Sequence, residues 1–221
     1  NHNFIYDNIA TLGGGIYLSS VNSADVSANV IRNNLALDMP YNDQGYGGGV
    51  FVVGSDFESA NMVVVDNSAD TADKGSGIYI ESSDVLLRHP TIARNDPTIG
   101  TGVFISDTGT STLSITNAIV VSHALGIHGT FTSTAELFDV LWYGNLANTN
   151  EHVSVTEEIT AVPGFAANGY YITPASPAYN QATPSDVTFD VNGGSRPSCG
   201  ILPDLGAHER QCLLLPFIRK P

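Results

Sequence analysis

Carboxylates supply the first candidate chemistry. Two turn-rich stretches, Asp38 to Gly48 and Asn67 to Gly75, carry Asp38, Asp43, Asp70 and Asp73 against a single Lys74. Carboxylates crowded on neighbouring loops repel unless a hard cation bridges them, so a Ca²⁺ site is one reading. Solvated acidic loops are the other, and neither an EF-hand loop nor a glycine-rich Ca²⁺ nonapeptide is present. A basic cluster, Arg88, His89 and Arg94, has Asp84 and Asp96 near it. These are residue types with which a polysaccharide lyase neutralises a uronate and removes its α-proton. A glycoside hydrolase would instead need two carboxylates facing each other across the scissile bond. No strand position is expected at which Asp or Glu recurs from one repeat to the next. The sequence also lacks a phosphate loop, a metal-spaced His/Cys set and a Gly-x-Ser-x-Gly elbow. Cys199 and Cys212 are the only cysteines. They are expected to pair as a disulfide in an oxidising compartment, two free thiols being the alternative.

A repeat must position these groups. Gly15-Ile16-Tyr17-Leu18, Gly49-Val50-Phe51-Val52, Gly77-Ile78-Tyr79-Ile80 and Gly102-Val103-Phe104-Ile105 share one pattern, and Gly126-Ile127-His128-Gly129 is a worn copy. The leading glycines lie 34, 28, 25 and 24 residues apart. Between them, an apolar residue precedes an Asn by three positions at Asn8, Asn34, Asn67, Asn95 and Asn145, with His123 standing in where Val120 precedes it. Units of this size with short Val-, Ile- and Tyr-rich strands and Gly, Ser, Asn and Asp turns predict a solenoid, each coil burying its apolar side chains against the next. They are too short for propeller blades and have no helical period. Asn at a fixed place can bond the Asn above and below and tolerates the left-handed backbone of a tight corner. Asn8, Asn34, Asn67, Asn95 and Asn145 are therefore expected to stack at one corner, side chains inward. The glycine before each strand should serve a similar corner.

Strand alternation puts Ile16 and Leu18 on one face and Tyr17 on the other. Across coils this gives a column of Tyr17, Phe51, Tyr79, Phe104 and His128, expected outside the core as a strip for sugar rings or a partner protein. A covering loop, or stacking for stability alone, would remove that role.

Composition narrows the partners. Eight basic residues against 22 acidic ones give a net charge of −14. Such a surface repels nucleic acid and anionic lipid. No apolar run approaches the roughly 18–20 residues that span a bilayer. The chain begins at Asn1 without a Met, and it is read as a fragment or processed product with its export signal upstream. An apolar tail, Leu213 to Ile218, together with a first coil at Phe4 to Asn8, suggests head-to-tail pairing with other copies. Folding back of the tail on its own chain is the alternative.

The Gly-Gly-x-Ile and apolar-x-x-Asn signatures resemble those of polymorphic outer-membrane adhesins and pectin-lyase-like β-helix proteins, over about residues 1–150. Further on, Ala161 to Phe165, Asn168 to Ala178, Asp190 to Pro197 and Pro203 to Glu209 resemble the C-terminal module of choice-of-anchor bacterial surface proteins. His208 departs from the usual aromatic there, and the Cys-Leu-Leu-Leu-Pro-Phe-Ile-Arg-Lys tail is an addition. The resemblance implies export to the bacterial cell surface. The expectation is thus an all-β, right-handed parallel β-helix of about six coils over 1–150, with a less regular cap or anchor-like module over 151–221. Its expected role is structural or adhesive, toward other copies of itself, a cell-surface partner or a carbohydrate, and without a cofactor unless Ca²⁺ binds. A polysaccharide-degrading lyase or hydrolase is the alternative.

Overall fold

The computed structural model describes residues 1–38, 45–70, 74–96 and 98–212. Nineteen strands, β1 to β19 in chain order, wind into a parallel β-helix. One stack comprises β1 (Phe4–Tyr6), β5 (Val30–Arg32), β9 (Val63–Val65), β13 (Thr91–Ala93), the second halves of β15 (Thr112–Val121) and β17 (Thr134–Tyr143), and β19 (Ser154–Thr160). A second holds β4 (Ala24–Asp25), β8 (Asp56–Ala60), β12 (Asp84–Arg88) and the first halves of β15, β17 and β19. The third is β3 (Ile16–Ser19), β7 (Val50–Val53), β11 (Ile78–Glu81), β14 (Thr101–Ile105), β16 (Leu125–His128) and β18 (Ala147–Thr149). A short ribbon of β2 (Ile9–Ala10), β6 (Leu35–Ala36) and β10 (Ser68–Ala69) runs beside them. Every pairing between named strands is parallel. The coiling continues past residue 150, because β19 pairs with β17.

Register makes the core. The apolar residue three before each Asn falls into one column, Ile5, Ile31, Val64, Ile92, Val120 and Trp142, and the last five are buried. Val52, Ile80 and Ile105 meet them from the third stack, and Leu87, Leu113, Ile115 and Leu137 from the second. Burial of each such aliphatic side chain stabilises the fold by roughly 1.5–3 kcal/mol.

Two corners use left-handed backbone. Asp7, Asn33, Asp66, Arg94, Ser122 and Gly144, with φ between 52° and 66°, each sit one residue before the Asn column. The left-handed turn thus belongs to the residue ahead of the Asn, which is itself free to point inward. The second corner is Ala28, Asn61, His89, Asn117, Asp139 and Glu157, at φ of 52° to 58°. The glycines that open the third-stack strands answer a different need from the one expected. A Cβ on Gly49 would lie 2.6 Å from the carbonyl oxygen of Gly77, so this column is glycine because successive coils approach too closely for a side chain.

Residues 161–212 form no strand or helix and lie along the flank of the solenoid. Tyr170, Ile172, Ala178, Ala182, Val191, Leu205 and Ala207 pack on the outward side chains of the first stack, Val30, Val63, Val65, Ala93, Ile119, Val121 and Leu141. A disulfide joins Cys199 to Cys212. The tail Leu213 to Ile218, and with it the expected head-to-tail contact, lies outside the described residues.

Candidate functional site

The aromatic column forms in register: Tyr17 beside Phe51, Phe51 beside Tyr79, Tyr79 beside Phe104, Phe104 beside His128. Successive ring centroids are 5.4, 5.2, 5.5 and 4.3 Å apart. Exposure divides it, contrary to the continuous outer strip expected. Tyr17 is 50% exposed, but Phe51 and Tyr79 retain only 5% and 6%. Tyr46, from the turn ahead of β7, lies against both rings, 6.0 and 4.7 Å from their centroids. The Lys74 ammonium sits 5.0 Å over the Tyr46 ring. Burial raises the Tyr79 phenol above its ordinary value, as expected of a hydroxyl shielded from water.

The column reopens at its C-terminal end. Phe104, Asp107, His128, Phe131, Glu151 and His152 line a cleft of about 490 Å³. Phe131, in the turn after β16, is 81% exposed and 6.5 Å from the His152 ring. His128 stacks on Phe104 at an interplanar angle of 4°. Its Nδ1 lies 3.3 Å from the Ile105 carbonyl, to which it can only donate. Aromatic faces beside carboxylates and an imidazole suit a ligand with apolar faces and hydroxyl edges.

The Asn column is continuous through hydrogen bonds. Asn34 Oδ1 accepts from Asn8, Asn67 Oδ1 from Asn34 and Asn95 Oδ1 from Asn67, each at 2.9 Å from the side-chain amide. His123 takes the next place, its Nε2 3.2 Å from the Asn95 amide nitrogen. Asn145 Oδ1 accepts from the His123 backbone N–H at 2.9 Å. Burial drives the His123 pKa down to about 4, so the ring is neutral. Asn34, Asn67 and Asn95 are buried, whereas Asn8 is exposed and Asn145 half-buried.

Two further columns escaped the sequence reading. Ser55, Ser83, Ser111 and Ser133 form a ladder in which each hydroxyl oxygen accepts a backbone N–H of the preceding coil, at 3.0 to 3.2 Å. The signal was a serine at or a few residues beyond the sixth position after the repeat glycine. The second left-handed corner holds the flank module. Asn61 donates to Phe189 O at 2.7 Å, Asn117 exchanges two bonds with Thr183, both 3.0 Å, and Asp139 accepts from Thr183 N at 2.9 Å. Each corner residue stands six positions before its ladder residue.

The motif charges of residues 190–209 turn inward. Arg196 and Glu209, 3.4 Å apart, have side chains at 0% and 1% exposure. Arg196 also donates to the carbonyls of Asp204 and Gly206 at 2.6 and 2.8 Å. Asp190 caps the Asn192, Gly194 and Glu209 amides, and Asp204 those of Asn180 and Arg210. Burial pushes the Asp204 and Glu209 carboxyls up, while Arg196 and backbone amides, those of Asn180 and Arg210 on Asp204 and of Asp204 and Ser198 on Glu209, pull them back. His89 is enclosed here, with Nδ1 2.7 Å from Arg196 Nη1 and Nε2 3.0 Å from Ser185 Oγ. Nδ1 also lies 3.2 Å from Asp204 O, and Nε2 3.0 Å from the Asn117 amide nitrogen. Burial first, then Arg196, holds the His89 pKa well below the ordinary value.

The basic cluster read as lyase-like is dispersed. Arg88 points outward beside Glu58 at 3.3 Å, His89 is buried against the module, and Arg94 bridges Asp66 and Gly169 O, both at 2.8 Å. Of the acidic loops, Asp38 N donates to an Asp70 carboxylate oxygen, and Lys74 lies 3.7 Å from Asp38. Asp43 and Asp73 lie outside the described residues, and among those described no group of three or more His, Cys, Asp or Glu could share a metal ion. One expectation fails outright. Asp56 and Asp84 occupy the same position on β8 and β12, and Asp25 and Glu58 on β4 and β8. Asp56 and Asp84 each stand seven residues after a repeat glycine, Gly49 and Gly77, so their register is legible in the sequence, whereas Asp25 and Glu58 stand ten and nine residues after theirs.

Among the described residues no helix is long and apolar enough to cross a membrane. No curated protein and no solved structure matches the chain. The family model described as a right-handed β-helix region matches residues 1–140. With the parallel register of its coils, this match makes the chain a member of the right-handed β-helix family.

Proposed function

We propose that this β-solenoid is an extracellular, surface-displayed structural or adhesive module that holds a saccharide in the cleft at the open end of the aromatic column. The observation that carries the reading is the division of that column, covered by Tyr46 in the middle and open at Phe104, His128 and Phe131. An 81%-exposed Phe beside stacked rings is costly to leave in water and useful as a platform for a sugar face. Display outside the cell is supported by the disulfide, which persists in oxidising compartments. Calorimetric titration with a panel of neutral oligosaccharides tests the ligand. At least one should bind, and Phe131→Ala should weaken it tenfold or more. Binding unchanged in that variant, or no binding across the panel, overturns the reading.

A second reading, glycoside hydrolysis, is favoured by the Asp56–Asp84 pair. Strand spacing of about 4.8 Å brings the two residues near the separation of a retaining carboxylate pair. Release of reducing ends from a polysaccharide, abolished by Asp84→Asn, is its signature.

A further inference from the structure

One histidine sits where the coils meet the flank module, in a seat that fits only its neutral ring. His89 follows β12 at the second left-handed corner and is wholly buried. Four groups surround its two nitrogens. Nδ1 faces Arg196 Nη1 at 2.7 Å and Asp204 O at 3.2 Å, while Nε2 faces Ser185 Oγ and Asn117 Nδ2, both at 3.0 Å. Arg196 can only donate. Asn117 is fixed by Thr183, donating to its carbonyl and accepting from its N–H, so the atom turned to the ring is a donor as well. Each ring nitrogen therefore meets one group that only donates. A neutral ring keeps one bare nitrogen to accept. A protonated ring keeps none, and it sets N–H against N–H on both sides with a second cation 2.7 Å away.

The charges around the ring do not relieve this. Arg88, its chain neighbour, is a further cation and is engaged with Glu58 and Asp186. Arg196 is held by Glu209 and by the Asp204 and Gly206 carbonyls, so it cannot draw back. The carboxylates of Asp190, Asp204 and Glu209 are taken up by backbone amides of the module, and none bonds the ring. Asp139, at the same corner, is committed to Thr183. His208, in the module, repeats the difficulty. It stacks on Tyr171 at 4.3 Å, and its Nδ1 is buried without a partner among the described residues. Burial, more than the nearby Arg196, holds both histidines below their ordinary pKa, although Asp190 pulls His208 the other way. Asp204 and Glu209 are shifted up by burial, so their uptake of protons favours the docked form, but only as pH nears the carboxylate range. Release therefore belongs to the window between about pH 6.5 and 5.

We propose that His89 is an acid-operated catch: protonation of its ring undocks residues 161–212 from the flank while the coils stay wound. Undocking bares Val63, Val65, Ala93, Ile119 and Val121, the outward strip of the first stack that the module covers. The inward core and the Asn ladder make no use of the module. A ring that stays neutral while docked shifts the docking equilibrium tenfold for each pH unit below about 6.5, and so about thirtyfold at pH 5. The test is hydrogen exchange read by mass spectrometry on the intact, disulfide-bonded protein at pH 7.5 and 5.0, corrected for the intrinsic pH dependence of exchange. Amides of residues 161–212 should gain at least tenfold in rate at pH 5.0, while those of β9, β13 and β15 stay protected. His89→Gln, neutral at both pH values, should lose most of that gain. His123→Asn, altered in the ladder and not at the seat, should keep it. Should His89→Gln fail to hold the module even at pH 7.5, the wild-type ring decides: its titration by NMR must share its midpoint with the module's exchange. Several results overturn the proposal: no gain in the module at pH 5.0, equal gain in module and coils, or loss of the gain in His123→Asn. So does full gain in a His89→Gln protein that is docked at pH 7.5, or a His89 ring that titrates near its ordinary value under a still-protected module.

Discussion

Between Asn8 and Asn145 the solenoid repeats one polar contact from coil to coil, whereas residues 161–212 depend on a single buried cluster of charges that has no copy among the described residues. In the coils, Asn34, Asn67 and Asn95 each give their amide to one neighbour and receive from another, so loss of one removes one step among several. In the flank module, Arg196 alone joins Glu209, the Asp204 and Gly206 carbonyls and His89. Repetition distributes stability; an unrepeated network concentrates it. The module must therefore be the more brittle half, even though it packs on a flank of the more robust one.

The largest expected effect comes from breaking the concentrated half. Arg196→Ala leaves Glu209 buried without its cation and should cost about 3–5 kcal/mol. Calorimetry should then show the module melting ahead of the coils, and limited proteolysis should cut first within residues 161–212. A single transition shifted by less than about 1 kcal/mol would remove the contrast.

Next comes acid, which probes the one ladder position that titrates. His123 is neutral when folded, with a pKa of about 4 against an ordinary value of 6.5. Below pH 6.5 the unfolded chain takes up a proton that the folded chain refuses, so stability falls with falling pH. The loss is complete once pH passes below about 4, and it amounts to roughly 3 kcal/mol. His89 and His208 shift in the same direction, so wild type alone cannot separate the three. Denaturant titrations of His123→Asn alongside wild type do: the variant restores an Asn to the column and should lose that share of the pH dependence.

The smallest effect tests distribution itself. Asn95→Ala removes bonds to Asn67, Val64 O and His123 from a buried site and should cost about 1–3 kcal/mol. Asn8→Ala, at the exposed end of the column, should cost less than about 1 kcal/mol. Equal losses in urea melts would mean that position along the ladder carries no weight.

Legibility in the sequence follows the same division. Gly49, Phe51 and Asn67 announce their columns because each coil repeats them, and the parallel register pairs them with their counterparts. Tyr46 covers the aromatic column from a position that recurs three residues before each repeat glycine, as Leu12 and Lys74, but the residue type changes from coil to coil, so periodicity did not mark it. Asp56 and Asp84 share a register that their equal spacing from Gly49 and Gly77 already shows, whereas Asp25 and Glu58 pair across turns that differ by one residue. Arg196 and Glu209 were visible as motif residues, but their burial depends on a partner surface, Val63, Val65 and Ile119, far away in sequence.

The flank module also works as a measuring rod. Its apolar residues meet Val30 near one end of the solenoid and Leu141 near the other, with Val63, Ala93 and Ile119 between them. Corner residues Asn61, Asn117 and Asp139 each meet a fixed point on its backbone, and His89 meets the Ser185 hydroxyl. A solenoid can gain or lose a coil with little local penalty, since each coil sees only its neighbours. Duplicating a coil between Val30 and Leu141 would instead slide half of these contacts out of reach by one strand spacing. The segment laid along the flank thus sets how many turns the rod contains, a constraint that stacking alone does not provide.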